Sequence, residues 1–436
     1  MIPAVKPEKA MATQRRWRLA DALFTRVTSV RRLDWRVRPG DESRVVLLLT
    51  ATQWLNWGST YYLLTVLAEP MGADTGWQRS WVIAGLSGGL VLAGLLSPAM
   101  GRAIDRHGGR VVLAAGSTIL GLGLIGLGLA NSLISYFAAW MVLGLGMAAS
   151  LNDAAVATLG RLYGLRARSL IGSLMLIIGF VMTLWWPLCQ ELVALLGWRG
   201  ACFVYAALHI LVGLPLHFFL LPREVTHPGA APAASPSAAG AVARQSWAIW
   251  VLGANLTVQI AIGSVVAVHL ITLLQGRGIA FDLAVWLGSL IWLAQGFGRL
   301  FQTMVGRHTH PVWEGVAASA CVFLGLVLLL AGEPAVMAVA LLVFGLGTGV
   351  RGIVKGTLPL VLFGAEGYAT LVGRLALPAL VAQAAGPYLG ALALDRWGVM
   401  PTLVAIAALA LLNLVLAYAL RRALPVAVEA PVSRRN

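Results

Sequence analysis

The chain has 436 residues, of which 59% are hydrophobic and 11% charged, with a mean hydropathy of +0.83 and a formal net charge of +15. Soluble globular proteins carry about 25% charged residues, so the composition excludes a soluble enzyme or binding module and indicates an integral membrane protein. No soluble domain gathers the cations into a basic face for nucleic acid, because most of them lie in the two tails and in short loops between apolar segments.

Residues 1–44 are basic and polar and lack the apolar run of a cleavable signal, so they read as a cytoplasmic tail and the first span must itself direct insertion. Twelve apolar segments follow: 45–67, 81–100, 111–130, 134–160, 168–192, 200–221, 247–275, 283–304, 313–331, 335–361, 368–392 and 400–420. As a helix, each is long enough to cross a hydrocarbon core of about 30 Å. Barrel strands of about 9–11 residues are excluded by these lengths. Residues 222–246, rich in Pro, Ala, Gly and Ser, are aperiodic and read as a cytoplasmic linker. The expected units are therefore the tail 1–44, a six-helix bundle 45–221, the linker 222–246, a second bundle 247–421 and a cytoplasmic tail 422–436. Of the 32 Lys and Arg, 24 lie in the tails or in loops after even-numbered spans, and four (Arg79, Arg199, Arg277, Arg396) lie in the opposite loops. The positive-inside rule puts both termini in the cytoplasm. Cys189, Cys202 and Cys321 fall in or beside spans and suggest neither disulfides nor a metal site, and no cofactor is expected.

The two sets of six spans repeat one unit. At an offset of 201 residues, "FAAWMVLGLG" (137–146) lies opposite "AVALLVFGLG" (338–347), "LIG" (170–172) opposite "LVG" (371–373), and Gly197 opposite Gly398. An offset of 205 sets Trp81 against Trp286 and "GR" (101–102) against "GR" (306–307). Two homologous halves related by an axis along the membrane normal follow.

Between the second and third spans stands "GRAIDRHGGR", residues 101–110. It reads as a tight loop in which glycines permit unusual backbone angles, with Asp105 as the single acid among three arginines that can donate to it. The pattern Gly101, Asp105, Arg106, Gly108, Arg110 resembles the signature of the major facilitator superfamily at the same location. Gly109 stands where that family usually has a basic residue. The resemblance implies twelve helices in two pseudo-symmetric bundles, alternating access, and a latch at these five residues. His310 replaces the corresponding acid in the second half, so the latch is expected in the first half only. "DRHGGRVVLAAGS", "GWRGACFVYAALHILVGLPLH" and "GRLALPALVAQAAGP" are similar to the branch containing oxalate/formate and monocarboxylate transporters.

Ionisable residues inside spans cost roughly 2.5–3.5 kcal/mol on insertion scales and usually mark a pathway or a pair. Asp153, the acid well inside the fourth span, lies opposite Val354 at the 201 offset, beside Lys355. It is a candidate for a gate salt bridge or for carrying a coupling proton. His269 in the seventh span, a helix that lines the central cavity in the family resembled, is a candidate for binding the solute; packing by a hydrogen bond is the competing role. Arg299 in the eighth span, by resemblance to the monocarboxylate branch, contacts a substrate carboxylate. Arg351 and Lys355 share a face of the tenth span ahead of Pro359, which loosens the helix, and together suit an anion; snorkelling toward the headgroups is the alternative. Arg374 starts the eleventh span and is expected to snorkel.

A secondary transporter of a small anionic or carboxylated solute is therefore expected, acting as a monomer with a coupling ion, for which a proton is the first choice. An efflux pump of the same superfamily and a non-transporting receptor are the alternatives. There is no GxxxxGK[ST] loop to bind nucleotide and no set of convergent acids or metal ligands for catalysis. Arginine outnumbers lysine 29 to 3, which points to GC-rich bacterial DNA and the inner membrane.

Overall fold

The computed structural model describes residues 41–181, 184–222, 239–306, 309–331 and 333–423. Most of both tails and of the linker, together with Arg307, lies outside the described residues, within which all regular structure is helical. Among the described residues, ten helical stretches are long and apolar enough to cross a membrane. They hold eleven of the twelve spans, because Leu133–Val181 contains the fourth span and the start of the fifth. The first span escapes that count because it is interrupted: a helix Asp41–Gly58, a turn, then a helix Leu64–Thr75.

The later spans begin and end where backbone chemistry requires. Gly108 has φ +86° between the second and third spans, an angle that favours glycine. Ser132 caps the fourth span by accepting from Ser135 N at 3.2 Å, and Ser135 Oγ accepts from Ser132 N at 3.1 Å. Gly197 and Gly398, opposite each other at the 201 offset, both take positive φ (+70° and +78°) at the joints between spans five and six and spans eleven and twelve. The two repeats thus share their turns as well as their letters.

The repeated "GLG" has one packing task in both halves. A Cβ on Gly144 would lie 2.6 Å from Gly89 O of the second span, and one on Gly345 would lie 2.7 Å from Ile291 O of the eighth. Two residues on, Gly146 admits Leu120 of the third span and Gly347 admits Ala318 O of the ninth. Small residues here let neighbouring backbones touch, which is how membrane helices gain dispersion energy without a hydrophobic driving force. The first half is centred on aromatic packing, with Trp185 stacked on Tyr205 at 4.8 Å and Trp140 fully buried beside Tyr136.

The fourth span breaks at Leu151, between helices Leu133–Ser150 and Asn152–Tyr163. Termination leaves the Ser150 carbonyl available, and it accepts from Gln53 Nε2 (2.6 Å) and Asn56 Nδ2 (2.8 Å) of the first span. The halves meet closely where the second span crosses the eleventh. A Cβ on Gly101 would overlap the Ala369 carbonyl, and one on Gly373 would overlap that of Ser97. The fold is an all-α membrane protein of two six-helix halves.

Candidate functional site

A cavity of about 570 Å³ lies between the halves. Trp57 and Tyr62 reach it from the break in the first span, Asn152 from the break in the fourth, and residues between Met175 and Phe180 from the fifth. The opposite wall is the eighth span, helix Phe281–Val305, through Ser289, Trp292, Gln295 and Arg299. Their spacing of three and four residues is one face of a helix. Arg299 is the single charged residue among the described residues lining this cavity. Its Nε is buried and has no hydrogen-bond partner among the described residues. The guanidinium edge lies against Gly179 of the fifth span, where any Cβ would overlap Nη1.

The other predicted cations are placed differently. Lys355 Nζ stands 2.7 Å from Asp153 Oδ1, with the side chains 29% and 22% exposed. Arg351, four residues earlier, does not join them. It is 5% exposed and donates to Asn255 Oδ1 and, at 3.0 Å, to Ser319 Oγ. Asn413 closes the network, accepting from Ser319 Oγ at 2.8 Å and donating to Asn255 O at 2.6 Å. The expected two-cation face is therefore corrected. Positions four apart still differ by about 40° around a helix, and polar groups of the seventh, ninth and twelfth spans draw the longer arginine into the second half. A buried guanidinium requires such partners.

His269 likewise stands off the cavity: its Nε2 donates to Pro387 O at 2.8 Å, tying the seventh span to the eleventh. Arg374 is exposed near the start of the eleventh span.

Asp105 bridges the halves. Its Oδ2 accepts from Thr370 N (2.8 Å) and Thr370 Oγ1 (2.5 Å), and its carbonyl accepts from Arg161. Gly101 supplies the close approach already described, and Gly108 the turn. Arg106 is exposed, whereas Arg110 lies over the Phe218 ring at 4.9 Å. Gly109, the departure from the family pattern, faces Thr158, whose side chain a Cβ would overlap.

The second half contributes an acidic bridge at the same end, against the expectation that only the first would. Arg168 Nη2 donates to Glu314 Oε1 at 2.7 Å and to the carbonyls of Gly306 (2.5 Å) and Thr309 (2.7 Å). Gln302 and Thr309 also donate to Glu314, each at 2.7 Å. His310 caps the ninth span instead, accepting from Val312 N at 3.2 Å, and burial near Arg168 lowers its pKa. Glu314 stands four residues after His310, in the first turn of that helix, where the helix dipole favours a carboxylate. The signal in the sequence is an acid in the first turn of the ninth span, four residues beyond the position equivalent to the family's aspartate.

The profile of the Major Facilitator Superfamily matches residues 49–354. The chain belongs to the Major Facilitator Superfamily. A comparison with curated proteins returns no match. Among solved structures, the human organic anion transporter MFSD10 (TETRAN) is similar in fold, with TM-score 0.68 and 18% identity over 87% of this chain and 100% of that one. The proton:xylose symporter XylE, bound to 6-bromo-6-deoxy-D-glucose, gives TM-score 0.63 and 12% identity over 87% and 95%. This superfamily member is thus a multi-pass membrane transporter, and the cavity between its halves is the candidate solute site.

Proposed function

We propose that this protein is a secondary transporter for an amphipathic organic monoanion, a solute with one carboxylate-like group on an apolar body. The observation that carries the reading is Arg299: among the described residues it is the one cation lining the cavity, its Nε has no partner, and Trp57, Tyr62, Phe180 and Trp292 line the same space. Binding pockets typically combine an apolar lining with a few orienting polar groups, and a guanidinium suits a planar carboxylate. One negative charge is favoured over two, because Lys355 is engaged by Asp153 and Arg351 by Asn255 and Ser319. Transport is driven by an ion gradient, with a proton as the coupling ion and Asp153 as its candidate carrier. Both termini are assigned to the cytoplasm of a bacterial inner membrane, and the monomer is the working unit.

Proteoliposome uptake of labelled benzoate, within a panel of aromatic and aliphatic mono- and dicarboxylates, tests this. The wild type is expected to move monoanions in preference to dianions. Arg299→Gln is expected to raise KM on the order of tenfold or more, as loss of a charge-assisted bond implies. Equal transport by Arg299→Gln, or uptake of neutral and cationic solutes alone, removes the anion reading and leaves an efflux pump for other cargo.

A further inference from the structure

We propose that Gly179 of the fifth span is a positioning residue for the solute site: it is the seat on which the Arg299 guanidinium rests, so that one half presents the cation and the other fixes where it points. The inference rests on the anion reading of Arg299 and goes one step beyond it.

Three observations carry it. A methyl group at 179 would overlap Arg299 Nη1 and lie 3.2 Å from Cζ and 3.5 Å from Cδ, so the guanidinium occupies the volume a side chain would take. Gly172, two turns earlier in the same helix, has its nearest atoms, Ile353 Cγ2 and Thr303 Oγ1, at 3.9 and 4.0 Å; glycine is not sterically required there. Gly352 of the tenth span leaves Arg299 Nε at 3.8 Å, an ordinary contact. The crowding therefore falls at one position, 179, and on one group.

That group is the far end of a flexible side chain. An alanine at 179 can be accommodated by swinging the guanidinium aside, and in a helix alanine is otherwise better than glycine. The substitution should therefore leave the fold intact and misplace the cation. Because Gly179 belongs to the first half and Arg299 to the second, the seat exists only while those faces are in contact. A rocking motion that parts them would release the guanidinium, so the anion is held on different terms in the two states.

The test compares Gly179→Ala, Gly172→Ala and Arg299→Gln, with Gly179→Ala also placed in the Arg299→Gln background. The readouts are benzoate uptake (KM and maximal rate) and the thermal melt of the purified carrier. The expected result for Gly179→Ala is an unchanged or higher melting temperature and a KM raised about tenfold. Gly172→Ala should leave KM unchanged with an unchanged or higher melting temperature, and Gly179→Ala should add nothing once Arg299 is gone, because interacting sites are non-additive. If Gly179→Ala fails to fold, adding Arg299→Gln must restore folding, since the overlap is with that side chain. A normal KM in Gly179→Ala, an effect that persists in full without Arg299, or a failure of that rescue overturns the seat while leaving Arg299 as the anion ligand. A normal KM in Arg299→Gln overturns both.

Discussion

Breaking the Lys355–Asp153 pair should open the end of the molecule that carries the 101–110 loop. The pair spans the halves at 2.7 Å, and both side chains are less than one third exposed. At an effective dielectric constant of about 20, the gross attraction at that distance is about 6 kcal/mol. Desolvation offsets most of it, and removing one partner strands the other charge in a partly buried place, so the net cost of Lys355→Ala is ~1–3 kcal/mol. If the ion pair forms only when this end is closed, that energy shifts the closed-to-open ratio by about 5- to 150-fold. The assay is the labelling rate of Leu176→Cys, a cavity position, in a background lacking Cys189, Cys202 and Cys321. A membrane-impermeant thiol reagent is applied from the side of that loop. Lys355→Ala and Asp153→Ala should each accelerate labelling by a factor in that range. The double variant should be no faster than the faster single one, and exchanging the two charges should slow it again. Independent, multiplying effects of the two substitutions would refute the pairing as a gate, whatever its distance in the closed form.

Other expectations follow from the same geometry. Arg351→Ala should lower the melting temperature markedly, through a loss of about 2–4 kcal/mol as Asn255 and Ser319 lose their shared donor, while the benzoate KM of the folded fraction stays unchanged. An altered KM would return Arg351 to the solute site. Gly101→Leu should weaken closure at the loop end, because the clash is with the Ala369 carbonyl and backbone cannot swing aside; faster labelling of Leu176→Cys checks it. His310 is held below its ordinary pKa by burial and by nearby Arg168, so the unfolded chain takes up its proton first. Stability present above about pH 6.5 is then lost as the pH falls below that value. A melt at pH 5.5 should fall short of one at pH 7.5, and His310→Gln should narrow the gap.

Much of the fold was legible because it is repetitive. Apolar segment length gave the spans, and an offset of 201 paired the "GLG" glycines and the Gly197 and Gly398 joints, which serve the same packing and turning roles in both halves. The same offset put Asp153 beside the counterpart of Lys355, and the two side chains meet. What the sequence hid depends on groups brought together from several spans. Nothing local to Arg351 announces Asn255, Ser319 and Asn413, which lie up to 96 residues away in sequence. Helical periodicity showed that Arg351 and Lys355 share a face, but a long side chain can leave that face for better partners. Glycines were equally opaque. Gly172 and Gly179 lie in one helix and look alike in the sequence, yet only the second is filled by another residue's guanidinium.

The crossing of the second and eleventh spans has a mechanical consequence. Gly101 meets the Ala369 carbonyl and Gly373 meets that of Ser97, so main chain abuts main chain with no rotamers between them. Such a seam behaves as a stop: van der Waals contact between main-chain atoms sets the depth of approach, and no change of rotamer can yield there. Whatever compliance the carrier needs to accept cargoes of different girth must reside elsewhere, in walls made of side chains.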